Sequence, residues 1–381
     1  MKKSLFIKIF SINRILMLLI VIGLVCNFSM VSANNQKITS VKYELEKYYS
    51  YDELTELLGQ LELEYPEIFN YSSLGKTWEG RDIWLVKISD NVTIDEEEAE
   101  VCLTGGMHGD EKQGYEVVIY SIKAFLDNYT SPVVNQSFTE RVRNVINNTE
   151  FYIIPMLNPD GIEARTRKNA RPNNCLFGKT IFKGVDINRN SGYKWELQDE
   201  YPFRYRRCWP IFYEKINVKF PIFDFHVFRG EGCYRGPYPF SEPESQALKY
   251  VIENHNISLY IDHHSASDYI MYGWGWNHDL PYVDEPFMSS VSENVSNITG
   301  YRIKHGSIIV YFGGMRDWMA AEHGVRAMCF ELPKTIGDNR LLHLIHENGA
   351  LKLEDNVPIL EMCKTHVVVN LYFGERAMDL N

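Results

Sequence analysis

Residues 100–111 run Glu100-Val101-Cys102-Leu103-Thr104-Gly105-Gly106-Met107-His108-Gly109-Asp110-Glu111. Glu100 to Gly105 is a short apolar run closed by a glycine pair, which reads as a buried strand. Tyr115, Val118, Ile119, Ile122 and Phe125 then recur at helical spacing, so Asp110 to Tyr129 reads as a helix. A strand turning directly into a helix is the repeating unit of an α/β sheet, and His108 and Glu111 fall on that turn.

Neighbouring segments extend the same alternation. Tyr51 to Tyr65 reads as a helix. Arg81 to Ser89 and Phe151 to Leu157 read as strands, the second ending at the turn Asn158-Pro159-Asp160-Gly161. Ser241-Glu242-Pro243-Glu244 reads as a capping box opening a helix to about Asn254. Ile257 to Asp262, Tyr269 to Tyr272 and Arg326 to Leu332 read as strands. Asp284 to Ile298 and Asn356 to Phe373 read as helices. No repeat or linker divides the chain. The expectation is one α/β domain over 42–381 with helices on both faces of a sheet. Residues 198–229 are rich in aromatic, proline and basic residues without periodicity and read as a long ordered insertion.

The 381 residues are 45% hydrophobic and 13% aromatic, enough for one sizeable core. Lys2, Lys3, Lys8 and Arg14 precede the apolar run Ile15 to Val25, and Val31-Ser32-Ala33 offers small residues for cleavage. Residues 1–33 are therefore expected to be a signal peptide, with an uncleaved membrane anchor as the minor alternative. Its removal takes four positive charges away and moves the net charge from −11 to −15. Such a surface repels nucleic acid. Asp95-Glu96-Glu97-Glu98 reads as a solvated turn between strands.

Export permits disulfides, and a pair among Cys175, Cys208 and Cys233 is expected. Cys102 and Cys329, inside apolar strands, read as buried thiols. Sequons beginning at Asn70, Asn91, Asn128, Asn135, Asn147, Asn256, Asn294 and Asn297 fit an exported glycoprotein.

His108 and Glu111, three apart on a strand-to-helix turn, have the geometry to converge on one ion. Ile261-Asp262-His263-His264-Ser265 ends another strand, where neighbouring side chains face opposite ways, so one of the two histidines would join them. Two histidines and a glutamate would leave a fourth zinc position open to water. Neither Gly75-Lys76-Thr77 nor Gly178-Lys179-Thr180 completes a P-loop, and H-E-x-x-H and G-x-S-x-G are absent.

His108-x-x-Glu111, Asp186-Ile187-Asn188-Arg189-Asn190, Ser241-Glu242-Pro243-Glu244, His264-Ser265, Asp317-Trp318 and Phe330-Glu331-Leu332 occur in one order. That order resembles the carboxypeptidase A-type zinc metallocarboxypeptidases, from about Tyr43 to near the C-terminus. The resemblance implies a mixed, twisted eight-stranded sheet, one zinc ion per chain and hydrolysis of the C-terminal peptide bond. It makes His108, Glu111 and His264 the zinc ligands, and Glu331 the general base. Arg167 becomes the oxyanion-stabilising cation, with Arg165 and Arg171 as nearby competitors. Asn188 and Arg189 become the clamp for the substrate's terminal carboxylate, and Asp186 the acid that orients a zinc histidine.

Tyr311 resembles the tyrosine that closes over substrate, although the connection to Gly313-Gly314 is shorter than in vertebrate relatives. By the same resemblance, Arg316 matches the position at the base of the pocket for the departing side chain, and an arginine there resembles members that prefer C-terminal Glu or Asp; pairing with Asp268 or Asp317 is the structural alternative. The expected partners are peptide or protein C-termini, the expected state a secreted monomer. The rival functions are a related zinc amide hydrolase acting on cell-wall peptides or isopeptide-linked glutamate, and a non-catalytic binding protein on this fold.

Overall fold

The structure, a computed structural model, describes residues 48–131, 136–172, 184–200, 219–220, 223–224, 234–333 and 358–380. The expected leader at 1–33, the cysteines 175, 208 and 233, and most of the 198–229 insertion lie outside the described residues.

The strands are β1 (Phe69–Lys76), β2 (Asp82–Ile88), β3 (Ala99–Gly105), β4 (Thr149–Ile154), β5 (Lys219–Phe220), β6 (Phe223–Asp224), β7 (Ile257–Ser265), β8 (Tyr269–Tyr272), β9 (Arg302–His305) and β10 (Arg326–Leu332). β5 and β6 form a small separate ladder. The others make one eight-stranded mixed sheet in the order β1-β2-β4-β3-β7-β10-β8-β9. Its centre, β4-β3-β7-β10, is parallel. β1, β2 and β4 pair antiparallel on one side, and β8 pairs antiparallel with β10 on the other.

Parallel strands are buried on both faces, and alternation divides their side chains between two cores. Val101 and Leu103 of β3 enter the larger core, with helices 51–64, 112–130, 136–146, 285–299 and 359–378. Cys102 enters the smaller one, with helices 243–254 and 315–323. The expected single domain with helices on both faces is the one observed.

Two close approaches fix helix 112–130 at the end of β3. A Cβ on Gly114 would lie 2.0 Å from the His263 carbonyl oxygen, and one on Gly109 would lie 1.9 Å from the Gly161 carbonyl carbon. Only glycine lets the backbones meet there.

The structure departs from the sequence expectations at several places. Ser241 does not form a capping box: Glu242 is the N-cap of helix 243–254 and makes no side-chain cap bond. The Ser241 hydroxyl instead donates to the Glu242 carboxylate at 2.6 Å, and that carboxylate accepts from Arg171, Asn169 and Trp78. The capping box that does form is Ser50 with Glu53. β1 and β9 were not anticipated, because exposed edge strands carry little apolar alternation. Helices 136–146 and 315–323 were also unanticipated, and both are short. Glu96 and Glu98 are half-buried rather than solvated. Asn128 is buried, its amide donating to the Ala124 carbonyl at 2.7 Å, so that sequon is inaccessible in the fold. Cys102 and Cys329 are buried free thiols, as is Cys363. No helix among the described residues is long and apolar enough to cross a membrane.

Glu116 lies fully buried on helix 112–130, with one oxygen accepting from the Tyr49 amide at 3.2 Å. Burial pushes its carboxyl up to about 8. The folded state therefore keeps a proton that the unfolded state releases near its ordinary value. The linked stability is complete at low pH and is lost as pH rises through about 8. Glu116→Gln is expected to flatten the loss of unfolding free energy between pH 5 and pH 8 by about 2–4 kcal/mol, read from urea denaturation at each pH. An unchanged slope would show that Glu116 is ionised in the fold.

Candidate functional site

The site lies where the central parallel strands end, the edge at which such sheets gather their functional groups. After β3, the Gly105 and Gly106 carbonyls accept from the Leu157 and Asn158 amides at 3.0 and 3.1 Å. This pins the turn that carries His108 and leads to Glu111, the N-cap of helix 112–130. β7 brings His264, and the parallel register of β10 sets Glu331 opposite it.

Strand alternation resolves the His263-His264 ambiguity. His263 turns toward helix 359–378, with Nδ1 3.0 Å from the Thr104 carbonyl and Nε2 3.2 Å from Asn370 Oδ1. His264 turns the other way, into the cluster with His108 and Glu111. Its Nδ1 lies 3.0 Å from His108 Nδ1 and 2.7 Å from Glu111 Oε2. His108 Nδ1 lies 2.9 Å from Glu111 Oε1. All three side chains are buried.

Each imidazole thus points Nδ1 inward and Nε2 at an acid. His108 Nε2 is 3.2 Å from Asp186 Oδ1, and His264 Nε2 is 2.8 Å from Asp262 Oδ2. Such outer carboxylates fix the tautomer that leaves Nδ1 free to ligate. Burial opposes charge on either ring, yet the surrounding carboxylates hold both histidines above the ordinary imidazole value. Burial would also raise Asp186, but Arg167, Arg189 and His108 hold it well below the usual range. Two nitrogens and one carboxylate converging in anionic surroundings fit a divalent zinc ion.

Arg167 donates from Nε to Asp186 Oδ2 at 2.9 Å, and its Nη1 lies 3.3 Å from Glu111 Oε1. Its competitors are placed elsewhere: Arg165 is an exposed helix C-cap, and Arg171 pairs with Glu242 at 2.6 Å. Glu331 sits partly exposed at the end of β10. Burial of its carboxyl and the Glu111 charge push it up to about 7. Asn188 has its Nδ2 3.3 Å from His264 Nε2, and its Oδ1 accepts from the Met315 amide. Arg189 donates to the Asn188 carbonyl at 2.7 Å and stacks on the Tyr311 ring at 4.4 Å. Tyr311 is itself buried, with its ring against Gly275 and Gly314.

Arg316 is 3% exposed. Its guanidinium donates to the Met271 and Gly306 carbonyls at 3.1 and 2.9 Å and touches Cys329 Sγ at 3.4 Å. Cys329 shares a face of β10 with Glu331, two residues on. Neither alternative partner takes Arg316. Asp317 accepts from the Gly275 amide, and Asp268 pairs with Arg302. Among the described residues no carboxylate forms an ion pair with Arg316, and its Nε has no hydrogen-bond partner.

The residue that sequence reading passed over is Asp262. The available signal was its position: two residues before His264 on one strand, hence on the same face.

The family model described as zinc carboxypeptidase matches residues 54–342. A zinc carboxypeptidase of Saccharothrix mutabilis subsp. capreolus is 29% identical over 76% of this chain, and the chain spans 62% of that protein's length. Carboxypeptidase B of Astacus astacus is 28% identical over 76% of this chain and 87% of its own. Among solved structures, carboxypeptidase A of Helicoverpa armigera superposes with a TM-score of 0.63 at 23% identity, over 87% of this chain and 74% of the other.

Asp262→Asn is expected to weaken zinc affinity about 10–100-fold, as does loss of other such outer partners. Competition with a chromophoric chelator measures this directly. Equal affinity in the variant would make the 2.8 Å contact to His264 incidental.

Proposed function

The chain belongs to the zinc carboxypeptidase family, and from that premise we propose that it is an exported zinc-dependent exopeptidase that releases single residues from peptide C-termini. The observation that carries the reading is the joint placement of His108, Glu111 and His264 beside Glu331, at the end of one parallel sheet. Export rests on the sequence of residues 1–33.

His108, Glu111 and His264 would hold the zinc. When bound, zinc supplies the Lewis acid that activates water and polarises the scissile carbonyl. Asn188 and Arg189 receive the terminal carboxylate of the substrate, for which a planar guanidinium fork is suited. That clamp selects the last peptide bond. Glu331 takes the proton from the attacking water and passes it to the departing amine. Arg167 faces the negative charge that develops on the carbonyl oxygen. Asp186 and Asp262 keep the two imidazoles oriented. Tyr311, packed on Arg189, lines the clamp.

Arg316 supports a preference for a C-terminal Glu or Asp. A buried guanidinium satisfied only by carbonyls and a thiol retains an uncompensated charge, which an anionic side chain would neutralise.

Hydrolysis of blocked dipeptides ending in Glu, Phe or Lys tests both levels. Release of Glu is expected to dominate, with Glu331→Gln lowering kcat at least about 100-fold. Arg316→Met should cut kcat/KM for Glu about 100-fold or more and favour Phe. Preferential release of Phe by the parent protein would discard the pocket reading and keep the hydrolytic one. The acid limb of kcat/KM is expected at or below pH 7, because Glu331 acts in its ionised form and any bound cation lowers it further.

A further inference from the structure

The loop between β2 and β3 is strongly acidic: Asp95 and Glu97 are exposed, Glu96 and Glu98 half-buried, and Glu100, at its end, is buried. Asp90, Glu96 and Glu98 bring one carboxylate oxygen each within 4.8 Å of the others, and so do Asp95, Glu100 and Glu150. Glu150 is fully buried and joins the groups: its Oε1 accepts from the Glu96 amide at 3.2 Å, and its Oε2 accepts from the Tyr152 hydroxyl at 2.7 Å.

Compensation for this charge is incomplete. Lys87 donates to Glu150 Oε1 and to the Ile94 carbonyl, both at 2.6 Å. His255 Nδ1 stands 3.9 Å from Glu100 Oε2, and burial lowers that imidazole, so it brings no charge at neutral pH. Among the described residues, the two groups together hold six carboxylates, with Lys87 on Glu150 as the ammonium and the Asn91 amide donating to both oxygens of Glu96. Three of their oxygens, Asp90 Oδ1, Glu98 Oε2 and Glu100 Oε2, are inaccessible and have no hydrogen-bond partner. Glu100 is only 6% exposed. A buried carboxylate oxygen without a donor costs free energy that no contact within the described residues returns.

We propose that the 90–100 loop and Glu150 form a binding site for a calcium-class divalent cation, separate from the zinc cluster. The donors are all oxygens, from several carboxylates on a loop, the set that suits calcium's six to eight flexible oxygen contacts. Magnesium holds its waters more tightly, and zinc favours nitrogen and sulfur. Burial, with the neighbouring acids, pushes both Glu98 and Glu100 up to about 7, in keeping with a pocket short of positive charge. A cavity of about 430 Å³, lined in part by Lys87, Asp95, Tyr152 and His255, adjoins the second group at Asp95.

Position separates this site from the catalytic one. Glu100 and Glu150 begin β3 and β4, whereas His108 follows the far end of β3. A rise of about 3.3 Å per residue sets them roughly 15–20 Å apart. The cation would tie the 90–100 loop to the starts of the two strands.

Calorimetric titration of calcium into the zinc-loaded full chain tests this without reference to hydrolysis. Saturable binding is expected, with a rise in Tm of about 3–6 °C at calcium 100-fold above Kd. The double variant Glu98→Gln/Glu100→Gln should lose both while still binding zinc. No heat at millimolar calcium, or an equal Tm rise with magnesium or in the double variant, would overturn the proposal. Should the variant not fold, the titration of the parent chain decides alone.

Discussion

Everything at the centre of this protein depends on the parallel pairing of β7 with β3 and β10. That register sets Glu331 opposite His264 and His263 opposite Gly105. Because side chains alternate along a strand, a slip of one residue would send His264 and Glu331 into the larger core and bring His263 and Phe330 forward. The two cores prevent the slip. Met328 and Phe330 are locked on one face among helices, while Ala327 packs on the other.

The donor cluster costs free energy to hold together. Two histidines and a glutamate lie within 3.0 Å of one another in a buried space. Asp186 and Asp262 offset part of this by hydrogen-bonding the outer imidazole nitrogens, and Arg167 spans Asp186 and Glu111. Under the proposed reading, a bound zinc ion would exchange these contacts for coordination.

The same logic recurs at the opposite edge of the sheet. Glu98, Glu100 and Glu150 crowd the starts of the strands as the proposed zinc donors crowd the ends, with Lys87 as the fixed counter-charge among the described residues. Arg316 is the inverse case, a buried cation held by carbonyls without an ion-paired anion among the described residues. In each place the unmatched charge is what supports the proposed sign of the ligand.

The sequence by itself carried the α/β class and the central strands, and its spacing set His108 and Glu111 beside one of His263 and His264; the choice of His264 and the role of Glu331 came from the family resemblance. Local spacing carries the strands: β8 and β10 are bounded by their apolar runs. It could not give the weak edge strands β1 and β9, whose exposed faces lack a periodic signal. Nor could it show that Ser241 caps nothing, that Glu98 turns inward, or that Asp262 supports His264. The seating of the 90–100 loop on Glu150 depends on a contact distant in sequence, whereas Ser241–Glu242 and Asp262–His264 are close in sequence and owe their geometry to the packing around them. Short-range pattern fixes which face a side chain takes; only the packed sheet decides which charges that face must share.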